Sequence, residues 1–172
     1  MRLLMFVPLL LASGCGGEEE KAKAPAPARL EAGQWETTLE VASSRTREPG
    51  EPLIDMPRGT RTTAGACLAA GEERPPVAFY VGSPFECDYR DYRMRNGRLT
   101  VALTCRHPAV DAPFDIHVLG RTTTGNEFQG DMQFATASVG AADVLIASRV
   151  TARRTGACTP PAQGEGNQTK GS

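Results

Sequence analysis

The sequence predicts an all-β domain, an antiparallel meander of about seven or eight strands that forms a strongly curved sheet or barrel. Three observations carry this. Apolar residues alternate with period two along most of the chain and rarely with the 3.6 period of a helix. The chain holds 18 glycines and 13 prolines, which suits short strands and turns better than helices. Four cysteines remain once the first is assigned elsewhere, and their positions fit two cross-strand disulfides.

The amino terminus is a targeting segment. Met1-Arg2 supplies a positive charge, and Leu3 to Ala12 is an apolar run about half as long as a bilayer-spanning helix requires. Leu11-Ala12-Ser13-Gly14-Cys15 follows, small residues directly before a cysteine, and resembles a bacterial lipobox. Residues 1–14 therefore read as a lipoprotein signal peptide and Cys15 as the lipidated residue. In such signals the cysteine carries several acyl chains, at about 0.8 kcal/mol per buried methylene. Gly16, where an aspartate would be the inner-membrane retention cue, favours the outer membrane. Residues 15–30 make a tether: Gly16 to Arg29 lacks a bulky apolar side chain and alternates Ala with Pro. Extended, it reaches roughly 50 Å. The folded domain spans 31–159, and 160–172 is a polar tail unable to pack.

The strands follow in order. Gln34–Val41 places Trp35, Thr37, Leu39 and Val41 on one face. Arg61–Leu68 is rich in Thr, Ala and Cys. Between them, 42–59 with Pro49, Gly50, Pro52, Pro57 and Gly59 reads as an irregular loop. A helical turn is expected within 68–79, before Pro75-Pro76. Cys87–Arg95 and Arg98–Cys105 flank Asn96-Gly97, a strong hairpin signal. Phe114–Thr123 and Glu127–Thr136 flank a three-residue loop, and Asp143–Arg154 closes the set.

Register can be argued further. A two-residue turn at Asn96-Gly97 pairs Met94 with Leu99 and Tyr92 with Val101 on a shared face. Continued rigidly, it would turn Cys87 away from Cys105. One extra residue near Arg90-Asp91, a β-bulge, sets Tyr89 opposite Leu103 and Cys87 opposite Cys105. The expected disulfides are thus Cys87–Cys105 and, by elimination, Cys67–Cys158. In the second hairpin a three-residue loop pairs Val118 with Met132, Ile116 with Phe134, and Phe114 with Thr136, apolar against apolar in the first two.

The cysteine arithmetic supports the anchor independently. Five cysteines, at 15, 67, 87, 105 and 158, leave an even set only if Cys15 is removed by lipidation. A zinc site would need close pairs of ligands, and no two of these cysteines are nearer than 18 positions.

Gly33-x-Trp35-Glu36, Cys67-Leu68, Cys87, Asn96-Gly97, Cys105 and Thr155-Gly156-x-Cys158 together resemble the domain of unknown function 3617 family over roughly 31–159. The resemblance implies a small, disulfide-bonded, all-β envelope protein, secreted or lipid-anchored. It implies no activity and carries over no catalytic residue. The family's proline-containing loop after the second motif cysteine is only loosely matched.

The sequence offers little that could do chemistry. His107, at a strand end, and His117, opposite the face of Ile116 and Val118, are the two histidines, and neither stands in a metal-binding spacing. No G-x-S-x-G elbow, P-loop or dinucleotide fingerprint occurs. Asp88, Asp91, Asp111, Asp115, Asp131 and Asp143 are scattered. No catalytic residue, cofactor or metal is assigned, and the protein is read as not an enzyme, with a hydrolase as a remote alternative. The net charge of −1 argues against nucleic acid. Arg93, Arg95, Arg98, Arg149, Arg153 and Arg154 read as a solvated strand face that discourages edge pairing, with anionic lipid headgroups as the alternative. Trp35, Tyr92, Met94, Val101, Ile116 and Phe134 line either the core or an apolar pocket inside the curved sheet. The expected partners are the membrane through its anchor, and a hydrophobic small molecule or an envelope protein. The favoured function is a periplasmic, membrane-anchored binding module, and the alternative is a structural component of an envelope complex.

Overall fold

A computed structural model describes residues 29–122, 124–136 and 142–158. Seven strands form one antiparallel sheet: β1 (Gly33–Thr46), β2 (Arg61–Leu68), β3 (Glu86–Arg95), β4 (Arg98–His107), β5 (Val110–Arg121), β6 (Glu127–Ala135) and β7 (Val144–Gly156). Their order in the sheet is β2-β1-β7-β6-β5-β4-β3, curled into a half-barrel. The expected meander holds from β3 to β7. It then departs from chain order, because β1 lies between β7 and β2 and pairs with both.

The register reasoning survives in detail. Asn96 and Gly97 both have positive φ, 51° and 73°, as a tight hairpin turn requires. Met94 faces Leu99 and Tyr92 faces Val101. The ladder skips Arg90, so Tyr89 meets Leu103 and Cys87 meets Cys105. Both cysteine pairs are bonded, with Cα atoms 4.0 Å apart for Cys87–Cys105 and 5.4 Å for Cys67–Cys158. Val118 opposes Met132 and Ile116 opposes Phe134.

Four expectations need correction. β1 runs five residues past Val41, because β7 extends far enough to pair it as far as Thr46. The one helical turn, 3-10 in form, lies after Pro75-Pro76 at Val77–Phe79 and not before them. The β5–β6 ladder stops at Arg121 and Gln129, so that connection is wider than three residues. At its other end the β5–β6 ladder stops at Ile116 and Phe134 and does not reach the expected pair of Phe114 with Thr136; the Thr136 N–H donates to the Val144 carbonyl on the β7 side. The expected signal peptide, Cys15, most of the expected tether and the expected tail beyond Cys158 lie outside the described residues.

The core sits on the concave side. Trp35, Leu99, Val101, Ile116, Val118, Phe134, Val144, Ile146 and Val150 point inward and are buried. Gly120 and Gly130 face each other across β5 and β6. A Cβ at Gly120 would lie 2.4 Å from Phe128 Cζ, so the bare backbone there is what lets the Phe128 ring lie against the sheet.

Candidate functional site

The half-barrel opens between β2 and β3, the two edge strands, and the segment joining them runs through that gap. Pro75-Pro76 precede its 3-10 turn, and Pro84 follows it. Phe79, Tyr80 and Val81 are buried on the concave side. Phe79 stacks edge-on against Trp35, with centroids 5.3 Å apart, and against Tyr80 at 5.0 Å; it also meets Phe128 at 5.7 Å. Farther along, Phe85 packs on Phe114 and Phe134. The concave face is therefore filled by the chain's own aromatic side chains.

This divides the six residues proposed for a pocket. Trp35, Val101, Ile116 and Phe134 are buried core, as a filled interior requires. Tyr92 and Met94 remain half-buried on the inward face of β3. They line a small cleft of about 220 Å³ with Arg29, Leu30, Leu68, Glu72, Glu73 and Pro75. A wider groove continues between 72–77 and residues 89–92 of β3. Leu30, assigned to the tether by sequence, packs against the core and belongs to the domain. Sequence reasoning also missed the packing of the 72–77 segment against side chains of β3, for which no periodic signal exists.

All three tyrosines of the chain gather at this seam. Tyr80 and Tyr89 stand edge to face at 6.3 Å, and Tyr89 and Tyr92 at 5.9 Å. The Tyr89 hydroxyl donates to the Pro75 carbonyl at 2.6 Å, and the Arg74 guanidinium lies 4.7 Å from the Tyr89 ring centre. These two contacts fasten the connecting segment to β3. The Tyr92 hydroxyl approaches Met94 Sδ at 3.6 Å. The buried Tyr80 hydroxyl has no hydrogen-bond partner in this geometry. Burial raises all three phenols above their ordinary range, and for Tyr80 the neighbouring phenols push the same way.

Several of the polar residues considered for chemistry have structural partners. Asp115 binds Arg90 and accepts from Thr104 Oγ1. Asp91 pairs with Arg93 at 3.2 Å. His107, the last residue of β4, is half-buried: its ring packs at a tilt against Phe85, and Nδ1 accepts the Ala109 N–H. Partial burial lowers its pKa. His117 is exposed on β5. Among the described residues, no three His, Cys, Asp or Glu side chains converge on a metal-sized site. Nor does any helix there have the length and apolarity to cross a membrane.

The outer face sorts the arginines. Arg93 is paired with Asp91, and Arg153 lies opposite both Glu127 and Glu36. Arg154 is not on this face as expected: it follows Ala152 on the inward side of β7, opposite Trp35, is half-buried, and donates through Nε to the Ala32 carbonyl. Arg149 sits between Glu40 and Asp131 in the cross-strand ladder. Arg95 and Arg98 remain, and Arg121 joins them.

A family model described as a protein of unknown function (DUF3617) matches residues 30–158. No curated protein matches the chain. Among solved structures, the monomer form of the M. tuberculosis PknI sensor domain is similar at 14% identity, over 81% of this chain and 94% of that one. Its TM-score of 0.32 is too low for that likeness to bear on function.

Proposed function

The chain belongs to the DUF3617 family, and from that premise we propose that it is a membrane-tethered, non-enzymatic binding module of the cell envelope whose seam cleft receives an apolar side chain of a protein partner. The two disulfides fit an oxidising, extracytoplasmic space. Lipidation of Cys15 supplies the tether. The observation that carries the reading is the division of the apolar set: Phe79 and Tyr80 fill the concave face, while Tyr92 and Met94 stay accessible beside Leu30 and Leu68. The cleft, about 220 Å³, suits one large side chain, and the open groove of about 710 Å³ that continues from it along 72–77 gives room for the chain on either side. Beside it β3 is an edge strand, so an extended peptide can add to its free backbone groups while anchoring a side chain in the cleft. Arg29, Glu72 and Glu73 would form its polar rim.

A photo-crosslinking residue at Tyr92 tests this, with one at Thr38 on the outer face of β1 as the control. The expected result in intact cells is a discrete adduct from position 92, absent from position 38 and lost with Met94→Asp. No adduct at 92, or the same products from both positions, would overturn the reading. Mass analysis of the amino-terminal peptide tests the anchor separately: it should carry acyl chains on Cys15, and Cys15→Ser should release the protein from membranes.

A further inference from the structure

Three arginines stand side by side on the outer face. Arg95 opposes Arg98 across the β3–β4 ladder, and Arg98 opposes Arg121 across β4–β5. All three are exposed, and none has an ion-pair partner among the described residues. Like charges placed directly opposite one another destabilise a sheet. The rest of this face avoids that: Arg61, Glu40, Arg149 and Asp131 alternate in sign along one row. The triad is thus a local concentration of positive charge on a face otherwise balanced.

A second observation falls at the same place. Leu119, two residues before Arg121, is 59% exposed and is the one large apolar side chain so exposed among the described residues. It faces Thr100, two residues beyond Arg98. Leu119, Arg98 and Arg121 line one shallow depression with Arg149 and with Asp131, the single carboxylate there, which faces Leu119 across β5–β6 and has Arg149 opposite it on β7. Basic side chains around an exposed leucine are the chemistry of an interfacial membrane contact.

The third observation is position. The Thr122 N–H donates to the Gly97 carbonyl, and the Gly125 carbonyl accepts the Glu31 N–H. The hairpin tip, the loop after β5 and the point where the tether enters are therefore joined at one end of the half-barrel. We propose that Arg95, Arg98, Arg121 and Leu119 form a docking face for an anionic phospholipid surface, which lays the domain against the membrane at its tethered end. The orientation rests on the tether of the proposed function; the attraction of this face for anionic lipid does not. Three arginines near such a surface favour the docked state by on the order of a hundredfold at low salt.

The test uses the mature protein, with whatever modification Cys15 carries, mixed with vesicles of phosphatidylcholine alone or with about 30% phosphatidylglycerol. Arginine reactivity toward phenylglyoxal is read by peptide mass. Labelling of Arg95, Arg98 and Arg121 is expected to fall about fivefold or more with the anionic vesicles only, to recover at high salt, and to leave Arg45 and Arg58 unchanged. A double variant Arg98→Gln, Arg121→Gln should lose the protection of Arg95 while melting no lower than the parent, since it removes like-charge opposition. Equal labelling on both vesicles, or equal protection by inorganic phosphate, would overturn the proposal. Failure of the anchor shows separately, as absence of binding to the uncharged vesicles, and leaves the anionic arm readable.

Discussion

Phe79→Ala is the perturbation that most directly probes how this half-barrel is filled. The side chain is fully buried and touches three other rings, those of Trp35, Tyr80 and Phe128. Roughly 150 Å² of ring surface at about 25 cal/mol per Å² comes to nearly 4 kcal/mol. Loss of edge-to-face contacts worth about 0.5–1.5 kcal/mol each carries the expected cost to the upper part of the ~3–5 kcal/mol range for such truncations. Against a typical total stability of about 5–15 kcal/mol, that is a large fraction. Urea denaturation followed by the fluorescence of Trp35, which sits 5.3 Å from the missing ring, measures it directly. The vacated space should also admit an apolar dye that the parent excludes. Phe79→Leu, which keeps most of the volume, should cost under about 1.5 kcal/mol and bind no dye. A loss below about 1 kcal/mol for Phe79→Ala, with the midpoint hardly moved, would refute the view that residues 77–81 are part of the core; they would then be a loosely held cover over a pocket.

Gly120→Ala should destabilise by about 1–3 kcal/mol through overpacking, since its Cβ would meet Phe128 Cζ at 2.4 Å and the Gln129 carbonyl at 2.6 Å, and thermal melting would show it. Replacing both Cys67 and Cys158 by Ser should cost about 4–5 kcal/mol, and the same change at Cys87 and Cys105 nearer 3, because the sequence separations closed are 91 and 18; denaturant melts of the two variants give the order. In alkaline titration the absorbance of ionised tyrosine should stay absent past pH 10 and then rise together with unfolding. All three phenols are raised in the folded state, so the unfolded chain ionises first: their contribution is intact below pH 10 and is lost as pH climbs above it. A separate early step from any of the tyrosines would contradict the burial of the seam.

Much of this architecture is legible in the chain because its signals are local. Asn96-Gly97 sets a hairpin, period-two alternation then fixes every partner up to Tyr92, and the need to face Cys87 toward Cys105 exposes the bulge at Arg90. The same logic cannot order the strands, since the pairing of β1 with β7 depends on surfaces about 100 residues apart or more, and no turn residue encodes it. Residues 69–85 show the limit for the site. Their apolar residues have no period, so Phe79 and Tyr80 do not announce that they occupy the space the strands enclose. A list of inward-facing strand residues therefore leaves filled and open interiors equivalent, and Trp35 belongs to both. Arg121 was missed for a related reason: it is remote from Arg95 and Arg98 in sequence, and only β4 brings the three together.

The place of β1 in the sheet has a kinetic consequence. Strands β3 to β7 follow one another and can zip locally as each hairpin becomes available. β1 emerges before all of them, yet its long ladder is to β7, the last strand of the chain, and pairs Trp35 with Arg154. Its apolar face must therefore wait, unpaired on that side, until the last strand is available, and closing so distant a contact is slow compared with forming a hairpin. A chain stopped short of Val144 could build the β3–β6 meander but could not seat Trp35 in the core, and oxidation of Cys67 to Cys158 would lock the β1–β7 closure only after it had occurred.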